Sequence, residues 1–194
     1  MVAPRGGRAD GALPLPVPFR WRKKLDLIVK RAEDGWQASY GAKAWRAAVG
    51  RAGILRRKTE GDGVSPAGRW PIRRVLYRAD RLAAAPASVF ETAAIDPRDG
   101  WCDAADHPDY NRPVRLPFAA SHEAMWRGDG LYDIVVVLGQ NDDPVVPGGG
   151  SAIFLHVAGA DYGPTAGCAA LARADLLEFL ATAKPGTHLR FQDG

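Results

Sequence analysis

Turn formers interrupt this chain so often that long helices do not fit between them. Its 22 glycines and 15 prolines are about a fifth of the residues and recur along the whole length. Both residue types weaken or end regular helices. A chain punctuated in this way is expected to fold as short strands joined by turns. Apolar residues make up 46% of its 194 positions, enough for one domain with a substantial core.

The strand-like runs begin at Leu25. Leu25–Val29, Gly35–Tyr40 and Ala44–Val49 have partly alternating apolar character, and Glu33-Asp34-Gly35 and Gly41-Ala42-Lys43 separate them at the spacing of an antiparallel meander. A turn-rich segment from Glu60 runs into a strand over Ile72–Tyr77. A short helix is expected before Ala83-Ala84-Ala85-Pro86, a strand or a helix over Val89–Ile95, an irregular excursion over Asp96–Pro117 and a brief helix over Ala119–Trp126. Tyr132–Leu138 is apolar on both sides and reads as a central strand. Ile153–Val157 is a further strand, Arg173–Ala183 carries helical spacing, and His188–Phe191 closes the chain as a strand. The expected fold is mainly β with one clear helix, placed directly behind Cys168.

Net charge of +4 invites a nucleic-acid partner, but its location argues against one. Residues 1–24 hold six Lys or Arg against Asp10 alone, whereas the remainder is almost neutral, with 20 basic and 21 acidic side chains. Residues 1–24 are therefore expected to be a flexible basic tail and residues 25–194 the functional domain. Apolar stretches such as Ile134–Leu138 are far too short to cross a membrane, and Pro, Gly and Arg are expected to break up any secretory signal in the first 24 residues. Gly148-Gly149-Gly150 lacks the following Lys-Ser/Thr of a phosphate loop.

The chemistry concentrates in Ile153–Leu171. His156 lies in a short apolar run, and a loop then leads to Gly167-Cys168. A lone cysteine is first of all a small buried residue, and a lone strand histidine one satisfied by a backbone carbonyl. Together they offer a nucleophile and a base within a short span, with Gly167 permitting a sharp turn that brings N–H groups near an oxyanion. A helix soon after Cys168 would direct its positive end at the sulfur and favour thiolate. Cys102 and Cys168 are free to form one disulfide or stay reduced, and Cys102, Asp103, Asp106 and His107 fit no standard zinc spacing.

This stretch resembles the signature of the L,D-transpeptidases with a YkuD-type catalytic domain, a strand histidine followed by Ser/Thr-x-Gly-Cys. His156, Thr165, Gly167 and Cys168 match it, in the branch with Pro-Thr-x-Gly-Cys. Ser65-Pro66-Ala67-Gly68-Arg69-Trp70 is similar to the family's Thr-Pro-x-Gly-x-Phe element, with Ser and Trp in place of Thr and Phe. The sequence departs from many members at Ala166 and Ala170, where they have His and Arg.

The resemblance implies a YkuD-like β-sandwich with mixed sheets and an acyl transferase of peptidoglycan stem peptides. Cys168 is then the nucleophile, His156 its base and acid, and N–H groups at Gly167 and Cys168 the oxyanion site. Thr165, His122, Tyr132 and Arg173 are the candidate substrate contacts, with a helix-surface histidine and a core-edge tyrosine as the alternative readings of His122 and Tyr132. A cation must replace the arginine absent at Ala170, with Arg173, Arg112 and Arg115 as candidates. No metal or cofactor is implied, carbapenems are expected to acylate the thiol, and a monomer in the periplasm or cell envelope is expected. Two alternatives share these residues: a carboxypeptidase or other hydrolase of stem peptides using the same thiol, and a non-catalytic wall-binding domain.

Overall fold

Antiparallel pairing starts where the turns predict it. In this computed structural model, which describes Met1 and residues 25–193, β1 (Leu27–Ala32), β2 (Gly35–Tyr40) and β3 (Lys43–Ala48) form a meander. Ala32 pairs with Gly35 across the first turn and Tyr40 with Lys43 across the second. The basic tail expected over residues 1–24 lies, apart from Met1, outside the described residues.

The chain then forms the short parallel pair β4 (Ile54–Leu55) and β5 (Ser65–Pro66), followed by the long strand β6 (Gly68–Tyr77) and β7 (Thr92–Ala94). A small antiparallel sheet comes next: β8 (Asp99–Cys102), β9 (Pro113–Arg115) and β10 (His122–Ala124). The central strands β11 (Ile134–Leu138), β12 (Phe154–Val157) and β13 (Ala169–Leu171) follow, then helix α1 (Arg173–Thr182) and β14 (His188–Phe191).

The main sheet runs β11-β12-β13-β3-β2-β1-β14-β6, and β6 pairs back onto β11, which closes it. Strand β6 is long enough for three neighbours. Its first half pairs with β14, its second half with β11 on one edge and with β7 on the other. The fold is thus mainly β with mixed sheets, as expected, but the large sheet curls into a barrel. Closure hides both edges of a sheet, which otherwise present unpaired N–H and C=O groups.

Leu155, Leu171, Val136, Leu27, Leu189 and Phe191 fill the barrel together with Leu176, Phe179 and Leu180 of α1. A second cluster lies on the opposite face of β11–β13: Val135, Val137, Phe154 and Cys168, roofed by Trp101, Met125 and Tyr132. The small β8–β10 sheet is this roof.

Three local expectations are corrected. Among the described residues no helix precedes Ala83; residues 78–90 are turns, bends and irregular chain. Ala119–Trp126 contains β10 instead of a helix, because Glu123 pairs with Trp101 and His122 with Cys102 on β8. A distant strand partner outweighs the weak helical preference of so short a segment. Asp96–Pro117 is likewise not wholly irregular, since β8 and β9 lie within it.

Candidate active site

Parallel pairing of β12 with β13 decides where the thiol and the imidazole stand. His156 is in register with Ala170, and Cys168 lies two residues before Ala170. Side chains two apart share a face, so Cys168 and His156 are diagonal neighbours on the same face of the sheet. Strand spacing and rise put their Cα atoms roughly 8 Å apart. Leu155, Val157, Ala169 and Leu171 point the other way, into the barrel core. Both Cys168 and His156 line one cleft of about 820 Å³.

The turn that delivers Cys168 is tightly specified. Gly167 has φ +150°, and a Cβ there would lie 2.9 Å from the Val64 carbonyl oxygen and 3.1 Å from Ile153 Cδ1. Any other residue would be strained and crowded. Thr165 Oγ1 donates to the Cys168 carbonyl at 2.7 Å and accepts the Gly167 N–H at 3.1 Å. Ser65, fully buried, donates to the Gly167 carbonyl at 2.8 Å and accepts the Gly50 N–H at 2.9 Å. The two sequence elements that carried the resemblance therefore meet: Ser65 of the second braces the Gly167-Cys168 turn of the first. Thr165 serves this turn, and the Gly167 N–H is committed to it in this arrangement.

Behind the sulfur, the Cys168 thiol donates to the Ala152 carbonyl at 3.2 Å and accepts the Phe154 N–H at 3.3 Å. Ala152 has φ +51°, a conformation uncommon for alanine. Its N–H is held at 3.0 Å by Asn111 Oδ1, which also accepts the Trp101 indole N–H. Asn111 Nδ2 in turn donates to the carbonyls of Gln140 and Asn141. Trp101, Tyr110 and Asn111 are thus buried supports of the site and do not line the cleft.

Burial pushes the Cys168 thiol up to about 12, with the nearby Glu123 carboxylate adding to the effect; the Phe154 N–H and the charges of Lys58 and Arg127 oppose it. Burial likewise pushes His156 down to about 4. The expected thiolate is therefore corrected: in this arrangement the pair is neutral, thiol and imidazole. β13 separates Cys168 from the start of α1 at Arg173. His156 Nδ1 lies 2.9 Å from the Val157 carbonyl. A carbonyl only accepts, so Nδ1 carries the proton and Nε2 is left as the basic nitrogen. The ring packs edge-on against Tyr132, centroids 5.4 Å apart.

The remaining expected contacts divide. Thr165, His122 and Tyr132 line the cleft, His122 from β10 with Nδ1 2.8 Å from the Ala120 carbonyl. Arg173 does not: it is bound to the buried Asp133, which also pairs with Arg81. Arg112 and Arg115 do not line it either, and Arg115 is bound to Asp99. The cations that do are Arg51, Lys58 and Arg127. Lys58, its side chain only 7% exposed, pairs with Asp62 at 2.6 Å. No sequence spacing ties Lys58 to Cys168; it arrives there because the segment between β4 and β5 folds against Gly150 and Gly167. Both cysteines are free, Cys102 sitting buried in the roof sheet.

A thiol beside a neutral imidazole, braced at the edge of a cleft, is suited to nucleophilic attack on a carbonyl assisted by a general base. The model of the YkuD L,D-transpeptidase catalytic domain matches residues 29–190, and the chain belongs to that family. Among solved structures, the chain is similar to the crystal structure of Mycobacterium tuberculosis L,D-transpeptidase 1, with 11% identity and a TM-score of 0.39. That similarity covers 88% of this chain but 62% of the other, so the chain spans less than two thirds of that protein. A comparison with curated proteins finds no match.

Proposed function

We propose that this chain is a cysteine-dependent acyl transferase of peptidoglycan stem peptides in the cell envelope, which cross-links diaminopimelate residues through a Cys168 thioester. The observation that carries the reading is the placement of Cys168 and His156 on one sheet face, lining one cleft, in a member of this family.

In this reading His156 Nε2 takes the thiol proton as Cys168 attacks the diaminopimelate carbonyl of a tetrapeptide stem. With a low-pKa imidazole and a high-pKa thiol, proton transfer accompanies attack; no preformed ion pair stores the charge. Backbone N–H at Cys168 holds the oxyanion, with the Lys58 ammonium near Gly167 adding positive field. The tetrahedral intermediate collapses, the C–N bond to D-Ala breaks, and His156 returns its proton to the departing amine. A stem-peptide amine then displaces the thiol from the thioester.

Incubation of the protein with a disaccharide-tetrapeptide, followed by mass spectrometry, tests the proposal. Expected are an acyl-enzyme on Cys168, released D-Ala and a cross-linked dimer. Tripeptide without dimer would replace the proposal by the carboxypeptidase alternative. A Cys168 that stays unmodified would leave the non-catalytic wall-binding domain.

A further inference from the structure

Charged side chains of both signs line the cleft. At the Gly167 edge stands Lys58, already neutralised by Asp62. On the roof side stand two carboxylates, Glu123 on β10 and Asp103 just beyond β8. Glu123 Oε1 accepts the Tyr132 hydroxyl at 2.5 Å, and Tyr132 is the residue packed on the His156 ring. The cation nearest Glu123, Arg127 at 3.5 Å, is itself bound by Asp129. The Glu123 side chain keeps 28% exposure and lines the cleft. Asp103 Oδ1 is buried and has no hydrogen-bond partner among the described residues. A buried carboxylate oxygen without a donor is costly unless a ligand supplies one.

We infer that Glu123, with Asp103 beside it, binds the ammonium group of the acyl acceptor and that Glu123 takes its proton. The inference rests on the acyl-transfer reading of Cys168 and adds the residue that favours amine over water. A primary amine arrives at neutral pH as an ammonium ion, which is no nucleophile until it loses a proton. Two carboxylates attract that charge, whereas neutral water is not concentrated by them. Burial and the neighbouring charges of Asp103 and Glu60 raise the Glu123 carboxyl above its ordinary range, which makes it a better base than an exposed carboxylate.

The ammonium gives one proton to Glu123, and the free amine attacks the thioester carbonyl. His156 Nε2 takes a second N–H proton as the C–N bond forms. The C–S bond breaks, and the Cys168 thiolate receives the proton from His156. The products are an amide, a free thiol and protonated Glu123, which returns its proton to water.

The test compares the wild-type chain with Glu123→Gln and Asp103→Asn, using the disaccharide-tetrapeptide as both donor and acceptor. Glutamine still accepts the Tyr132 hydroxyl but carries neither charge nor basicity. Expected for Glu123→Gln, compared with wild type at equal acyl-enzyme occupancy of Cys168, is a dimer-to-tripeptide ratio lowered at least about tenfold, the scale of a lost base. Glu123→Asp should recover part of the ratio, and Asp103→Asn should lower it less. An unchanged ratio in both neutral variants, or a wild-type protein that yields tripeptide without dimer, overturns the inference while leaving the Cys168 acyl-enzyme intact. Absence of any acyl-enzyme in the wild type overturns the acyl-transfer reading itself.

Discussion

Strands β11, β12 and β13 are buried on both faces, but the two faces are made of different material. Toward the barrel they present Val136, Leu155, Val157, Ala169 and Leu171, packed on α1 and entirely apolar. Toward the roof they present Phe154, His156 and Cys168 beneath Trp101, Met125 and Tyr132. A residue's face, settled by a one-step alternation, decides whether it serves stability or chemistry. Burial alone does not separate them, since Leu155 is fully enclosed and Cys168 is 7% exposed. The barrel face has every valence satisfied by packing. The roof face holds an imidazole and a thiol whose pKa values are displaced by that same burial, one down and one up.

Substitutions on the two faces should therefore break different things. His156→Gln, on the roof face, is expected to slow acylation of Cys168 by about 10²- to 10⁴-fold, the usual worth of a positioned base. Stopped-flow or timed mass spectrometry with a carbapenem measures it. Leu155→Ala, one residue away and facing the core, is expected to cost about 2–5 kcal/mol of stability in denaturant unfolding, with the acylation rate per folded molecule within a few-fold of wild type. If the two variants lose the same property, the division between faces is wrong.

A pH series sharpens the contrast. His156 is held below its ordinary value of 6.5, at about 4, so within that interval the unfolded chain binds a proton that the native fold refuses. Stability from this group is complete above pH 6.5 and is lost as pH falls toward 4, by about 3 kcal/mol in all. Urea midpoints between pH 7 and 4 should show the decline, and His156→Gln should flatten that part of it. The smallest effect is expected at the brace between the two motifs. Ser65→Ala removes the donor to the Gly167 carbonyl and the acceptor of the Gly50 N–H. It should cost about 1–3 kcal/mol and loosen the turn that presents Cys168, seen as slower acylation at unchanged Cys168 accessibility to denaturant.

Much of this was legible from residue order, because it depended on local period or on a motif. The meander, the central strand at Ile134–Leu138 and the helix from Arg173 follow from turn residues and apolar spacing. The importance of Gly167-Cys168 follows from its company with His156 and Ser65. What escaped depends on partners far along the chain. His122-Glu123-Ala124 becomes a strand only because β8 is beside it, and Glu123 reaches the cleft only through that pairing. Lys58 acquires its place by packing against Gly150 and Gly167, roughly a hundred residues away. The neutral thiol of Cys168 has a related origin, since burial raises it and the enclosing roof is built from β8–β10 and the loop carrying Asn111.

The most direct test is the intact mass of the full chain after exposure to a carbapenem, with peptide mapping of the adduct. Cys102 serves as the internal control, a second buried thiol that lies outside the cleft. One adduct per chain on the peptide containing Cys168, absent from Cys168→Ala, is the predicted result. An unmodified protein, or an adduct distributed equally between Cys102 and Cys168, would contradict a nucleophile made by its place beside His156.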